Sequence, residues 1–221
     1  MKILRAFRFV TLVVLGALVG ALTLAQDQTT SAPALPSASP NEAEISKQRV
    51  ELSKPGENHK LLAMIAGTWN FTGRHFPVDP GPNKKPTELS GRLVRKSLWD
   101  GRYFIAETTG EKLKMPWSDG KEVTYKDMTI EGYDNVKKRF VSAAIDNHWD
   151  TGIIPLEGSY DSATKTFVYN IEIETSPGTK IKIRRLVKLL DNDHYTEEWY
   201  REHNGQEVKV TETRYTRVNS Q

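Results

Sequence analysis

In Ile145–Gly152, IDNHWDTG, the residues Asp146, His148 and Asp150 alternate. On an extended strand all three side chains project from one face, and a histidine between two carboxylates suits a metal ion or acid–base chemistry. The stretch also reads as a turn, because Asp150-Thr151-Gly152 has the composition of a loop in which a carboxylate caps nearby backbone. Asp146 is the better candidate for an interior, since it continues the face of Phe140, Ser142 and Ala144. Glu107, Arg185, Glu198, Tyr200 and Arg214 also share strand faces with apolar or aromatic neighbours, so polar groups are expected inside a cavity. Arg185 or Arg214 can hold a carboxylate through two parallel hydrogen bonds. Equally, they can pair internally with Glu107 or Glu198. The expected ligand-facing set is Glu107, Asp146, His148, Arg185, Tyr200 and Arg214.

Other chemistry lacks its residues. His59, His75, His194 and His203 sit in separate predicted elements without the spacing of a metal motif, so no metal site is expected. There is no Gly-x-Ser-x-Gly elbow, phosphate-binding glycine loop or dinucleotide fingerprint, and no cysteine to act as nucleophile or disulfide partner.

The elements that must position these residues begin after a leader. Lys2, Arg5 and Arg8 precede the apolar run Phe9–Leu24, which ends on the small residue Ala25, so residues 1–25 read as a secretory signal peptide. Its about 16 apolar residues fall short of the roughly 20 needed to span a bilayer. Those 25 residues carry three basic and no acidic side chains, leaving 28 of each sign in the remainder. A near-neutral chain offers no excess charge for nucleic acid, and no membrane span is expected once the leader is removed. The expected location is periplasmic or secreted. Residues 26–57 open on QDQTTSAPALPSASP, too polar and proline-rich to order itself, and read as a disordered or weakly helical tether, with a surface helix over 41–53. A short helix follows over 58–66, with Asn58 as cap and Gly67 as stop.

From Gly67 the apolar period becomes two, and ten such segments recur, at 67–74, 89–98, 102–109, 122–132, 139–147, 153–160, 166–174, 180–190, 194–202 and 207–218. Asp100-Gly101, Asn204-Gly205 and Pro177-Gly178 supply tight turns, with Asp119-Gly120 and Asp191-Asn192 as further turn signals. Phe76–Pro86 is the one long loop and a candidate lid. YDNVKKRF at 133–140 and YDSATKTF at 160–167 echo each other 27 residues apart, as two similar hairpins in which aspartate caps the turn and the aromatics pack on facing strands. Lys180, Lys182, Arg184 and Lys188 deny their strand the lipid-facing band of an outer-membrane barrel.

Ten sequential strands expose two edges unless the first pairs with the last. The fold expected for 58–218 is therefore all-β, a single up-and-down antiparallel barrel. Closure gives Trp69 a partner, Arg214 or Arg217, whose guanidinium covers the indole. Gly67-Thr68-Trp69 after a short helix, with Arg217 on the last strand, resembles the Gly-x-Trp and arginine signature of the calycin superfamily, and Gly67, Trp69 and Arg217 are assigned to closure. Ten strands in about 150 residues are closer to its fatty-acid-binding and nitrobindin branches than to eight-stranded lipocalins. LLAMIAGTW, WDGRYF, GYDNVKKRFVSAAID, GSYDSATKTF and TETRYTR are similar to a widespread bacterial family catalogued as a conserved domain of unknown function. That resemblance implies a calycin-like barrel and carries over no catalytic residues. A nitrobindin-like haem would require a histidine near the C-terminal end of the barrel. The nearest, His203, abuts the Asn204-Gly205 turn, so no cofactor is expected.

The leading expectation is an exported protein that holds a small hydrophobic or amphipathic molecule inside the barrel. Two alternatives stand beside it. One is an enzyme using Glu107 or Asp146 with His148 or Tyr200 for proton transfer; the other is a filled barrel acting through its surface on an envelope protein.

Overall fold

The computed structural model describes residues 41–79, 81, 85–114, 117–148 and 152–218. The expected leader, residues 26–40 of the tether, Asp150 and four positions of the candidate lid lie outside these residues.

Two short helices come first. Helix α1 spans Glu42–Leu52, capped by the Asn41 side chain on the Ala43 amide, and buries none of its residues. Helix α2 spans Glu57–Met64 and starts one residue earlier than the sequence suggests, because Gly56, not Asn58, is its N-cap. The Gly56 amide donates to Nδ1 of buried His59 at 3.0 Å, so a histidine does the work expected of a carboxylate or amide. Burial holds the His59 pKa below the ordinary histidine value, with the charge of Arg102 adding to the effect.

Ten strands follow: β1 Gly67–His75, β2 Thr87–Leu98, β3 Tyr103–Lys114, β4 Glu122–Asp134, β5 Arg139–Asp146, β6 Ile154–Asp161, β7 Thr166–Ser176, β8 Thr179–Leu189, β9 His194–His203 and β10 Gln206–Arg217. Each pairs antiparallel with its chain neighbours, and β1 pairs with β10, closing the barrel. The turn residues adopt the conformations their types favour: Asp100, Asp119 and Asn204 have positive φ, each followed by a glycine that does too. In the two echoed hairpins Lys138 and Lys165 occupy matching left-handed positions. Asp134 accepts the Val136 and Lys137 amides, and Asp161 accepts the Ala163 amide. Tyr133 pairs with Phe140 and Tyr160 with Phe167 across their strands.

Closure is made by the predicted residues. Trp69 lies opposite Arg217, and the guanidinium carbon sits 4.1 Å from the indole centroid. The indole is buried and donates to the Ile65 carbonyl at 3.0 Å. Arg217 donates to the carbonyls of Ala66 and Met64 at 2.7 Å and of Asn192 at 2.8 Å, satisfying acceptors left over where α2 ends. Gly67 has φ +124°, and a Cβ there would stand 2.6 Å from Arg217 Nη1. Arg214, the other candidate, lies opposite Thr72 and is exposed.

This end of the barrel is filled. Leu62 and Ile65 pack with Trp69, Phe104, Phe140, Phe167 and Tyr195 into one core. Phe140 and Phe167 meet edge to face at 4.9 Å, as do Trp69 and Tyr195 at 4.7 Å, a geometry that adds to simple area burial. Asn135 ties the α1–α2 connection down, donating to the carbonyls of Leu52 and Lys54. The strand ends His75, Lys114 and Asp146 and the strand starts Thr87, Glu122 and Ile154 mark the opposite mouth.

Arg217→Met keeps the stem but loses the charge and three carbonyl contacts, and is expected to cost about 2–4 kcal/mol in denaturant unfolding. Gly67→Ala should also destabilise by at least about 1 kcal/mol. The double substitution should fall short of the sum, because the added methyl no longer meets a guanidinium. Additive costs would mean that the two residues are not coupled.

Candidate functional site

Trp69 points inward, and its register fixes the facing of every strand. Leu93 and Arg95 on β2 point in, as do Phe104, Ala106 and Thr108 on β3 and Asp127, Thr129 and Glu131 on β4. Working the other way around, Thr213 and Tyr215 on β10 bring Tyr195, Glu197, Trp199 and Arg201 inward on β9, and then Ile183, Arg185 and Val187 on β8.

This parity corrects three expected site residues. Glu107 lies on the outer wall of β3, exposed, with Lys96 at 4.0 Å. Tyr200 lies outside on β9, beneath Arg184 at 4.6 Å and donating to Glu198, which also faces out. Arg214 is outside on β10. In each case the neighbour one position away holds the inward place, because a single-residue shift exchanges the two faces of a strand. Arg185 and Asp146 do face the interior, and His148 follows at the mouth.

The inward charges join across the lumen. Arg95 and Glu131 are both buried; Nη2 donates to Oε1 at 3.4 Å, while Nε lies 2.8 Å from Oε2 in ionic contact but off the line of a hydrogen bond. Arg95 Nη1 also donates to the Ile65 carbonyl at 3.2 Å. Arg185 donates to Glu197 Oε2 at 2.8 Å, and its Nη1 lies 3.8 Å from Glu131 Oε1. Since Glu131 is on β4 and Arg185 on β8, strands that are not neighbours, this last contact bridges the barrel. Tyr169 and Trp199 flank the Arg185 guanidinium at 5.5 and 5.4 Å, and the Trp199 indole donates to Glu197. Burial raises the Glu197 pKa, but Arg185 and the hydrogen bonds outweigh it and hold the carboxyl below its usual range. Such a set stands only as a whole: removing one partner leaves a buried charge uncompensated, at about 3–5 kcal/mol.

Two features on the mouth side depart from this balance. Asp127 accepts hydrogen bonds from Thr108 at 3.2 Å and Thr129 at 3.4 Å, and its direct cross-strand neighbour is another carboxylate, Asp146. Burial pushes the Asp127 pKa up to about 6, with Glu197 and Asp146 adding to the rise and Arg185 and Thr108 opposing it. The Asp146 carboxylate accepts the His148 amide at 2.6 Å, and burial lowers the His148 ring pKa despite Asp146. Arg201, the next inward residue after Trp199, is the second feature. Its Nε is buried without an acceptor, and no carboxylate among the described residues pairs with it. Arg185 Nε is buried without an acceptor as well.

The mouth half is also more open than the plugged half. Ile154, Ile171, Ile183 and Trp199 face inward yet are only half-buried, whereas Phe104, Phe140 and Phe167 are enclosed. Gly91 lets the Phe71 ring lie flush against the wall, since a Cβ there would stand 2.7 Å from that ring and 2.4 Å from the Thr109 carbonyl oxygen. The mouth end, or cup, is thus lined by half-buried apolar side chains above a charged layer with unspent donors. Among the described residues no cluster of three or more His, Asp or Glu is disposed to hold a metal ion. Likewise, no helix among them is long and apolar enough to cross a membrane.

Arg95, Asp127, Glu131, Glu197 and Arg201 were absent from the sequence-based site. Counting in steps of two from Trp69 through each turn would have found them, but apolar alternation alone assigns a charge to the solvent side.

Three solved structures are similar to this chain at low sequence identity. Rv2717c from M. tuberculosis is 13% identical, with a TM-score of 0.49, covering 75% of this chain and 100% of that one. The S-type phycobiliprotein lyase CPES from Guillardia theta is 8% identical, with a TM-score of 0.47, covering 78% of this chain and 98% of that one. A redesigned β-barrel, b11L5F_LGL, is 11% identical, with a TM-score of 0.31 over 71% of this chain and 94% of that one. No curated protein matches. Residues 54–217 match the model of the family described as "Protein of unknown function (DUF1579)", and the chain belongs to that family.

Proposed function

We propose that the barrel binds a small amphipathic molecule with an anionic end, taken in through the mouth and held in the cup. The carrying observation is Arg201, an inward arginine with a buried, unspent donor and no ionic partner among the described residues. A buried donor without an acceptor is costly, and a ligand carboxylate or similar anion removes that cost. The half-buried Ile154, Ile171, Ile183 and Trp199 offer an apolar wall for the rest of the molecule. Asp127 stands near enough to interact with Arg185, whose Nε is a second unspent donor, so its ionisation adds a negative charge to the lumen the anion enters. Binding of an anion should therefore be tighter below about pH 6, where Asp127 is neutral.

Export belongs to the same reading, on the strength of the basic and apolar residues 1–25. A second reading, proton transfer by a cavity carboxylate, passes from the outward Glu107 to Asp127, whose pKa lies near the pH at which a general base works well.

Two outcomes are expected. A fluorescent long-chain fatty acid should bind saturably, more tightly than its uncharged alcohol counterpart. Arg201→Gln should weaken the acid by roughly 10- to 100-fold, about 1.5–3 kcal/mol, while leaving the alcohol nearly unchanged. Failure of any anionic or neutral lipid to bind would overturn the reading.

Asp127 has a folded pKa above its unfolded value, so the stability it contributes is present below about pH 4 and lost as pH rises through about 6. Asp127→Asn should accordingly raise stability at pH 8 by on the order of 2–3 kcal/mol relative to wild type, with little gain at pH 4, in paired denaturant titrations. An equal gain at both pH values would show that Asp127 titrates normally. For export, the intact mass of protein expressed in its bacterial host should correspond to a chain beginning at Gln26, outside the cytoplasm. Recovery of Met1–Ala25 on a cytoplasmic chain would refute the assignment.

A further inference from the structure

The outer wall of the barrel is unevenly polar. Around β7–β10 and β1 it carries ion pairs: Arg74 with Glu212, Lys209 with Glu198, Arg184 with Glu207 and Lys180 with Glu172. On β3–β6 ion pairs are confined to the margins. There the outward positions Ile105, Ile130, Ala143 and Pro155 line up across four strands in one register row, and Met128 lies beside Ile145 in the next. Ile130 and Ile145 are 48% and 46% exposed and Met128 38%, high values for large apolar side chains aligned in rows. The band continues toward both ends of the barrel. At the plugged end Trp99 stands edge-on to Tyr103, whose ring covers Gly132 on the outer face of β4. At the mouth Trp117 and Ile153 are 57% and 72% exposed. Exposed apolar rows of this kind, interrupted toward the mouth by Lys126, mark an interaction surface.

We infer that this face docks against the same face of a second copy of the chain. Closure leaves no free strand edge, so a partner cannot add a strand and must meet the wall face to face. The two long edges of the band select the partner. One edge carries Lys96 with Glu107; the other carries Lys137 and Arg139 with Glu157. Each edge therefore presents both signs, already paired. An anionic bilayer favours edges with unpaired cations, and Glu107 and Glu157 would oppose it. A partner of one net sign gains nothing from such edges either. A second copy, rotated by a two-fold axis through the band, sets mixed edge against mixed edge and apolar row against apolar row, as a self-complementary dimer interface requires.

Sedimentation velocity of the mature protein, from low micromolar to several hundred micromolar, tests the inference. The wild type is expected to shift from monomer to dimer across that range. Ile130→Glu and, separately, Met128→Lys should raise the dissociation constant roughly tenfold or more, with unchanged circular dichroism because both side chains are on the surface. Thr196→Glu, outward on β9, should leave the equilibrium where it is. A wild type that remains monomeric throughout overturns the inference. So does a dimer indifferent to both substitutions, or a monomer that associates through this face with phosphatidylglycerol vesicles.

Discussion

One contact, Arg217 lying over Trp69, decides the geometry of the rest. It joins the first strand to the last, and so converts a meander with two raw edges into a tube in which every strand has two neighbours. It also fixes the direction in which Trp69 points, and from there the facing of each residue follows by steps of two around the barrel. The same guanidinium accepts the task of finishing α2, by donating to the carbonyls of Met64 and Ala66. Sealing the wall and seating the plug are thus a single event, and the glycine at 67 is required because the arginine occupies the space a side chain would take.

Within the tube so defined, two kinds of interior meet. Aromatic side chains and Leu62 make one half a conventional core, where apolar burial stabilises at about 25 cal/mol per Å2. The other half is interrupted by Arg95, Glu131, Arg185 and Glu197, linked from one wall to the other. Well-packed apolar residues would stabilise this layer at least as well, so the charges point to a role beyond stability. They hold the floor of the cup polar and rigid, and they leave donors on Arg185 and Arg201 that the chain itself does not use.

Much of this was legible in the sequence, for identifiable reasons. Strand number, the hairpin turns and the partner of Trp69 were readable because alternation, Asp-Gly and Asn-Gly pairs, and the need to bury strand edges are local or topological signals. The echoed hairpins also behaved as expected, with Asp134 and Asp161 capping equivalent turns. Facing was harder. In β9, HYTEEWYREH, both faces carry aromatic and charged residues, so Trp199 and Tyr200 compete for the interior on equal chemical terms. Only the pairing of Tyr195 with Tyr215 resolves them. Glu107 and Arg214 were displaced by the same ambiguity, while Asp127, Glu131 and Glu197 escaped notice because a buried carboxylate is legible only through partners on distant strands. His59 as a helix cap gave no sequence signal distinct from its neighbour Asn58.

If the barrel holds a guest as proposed, the plug of α2 and its aromatic bed also sets the guest's route. A tube stoppered at one end is a cul-de-sac, so a guest must back out through the doorway by which it came. Under the proposed function, loading and unloading would then compete for one threshold, in a pouch rather than a conduit. Whatever collected such a guest would approach the end of the barrel at which β1 finishes and β2 begins.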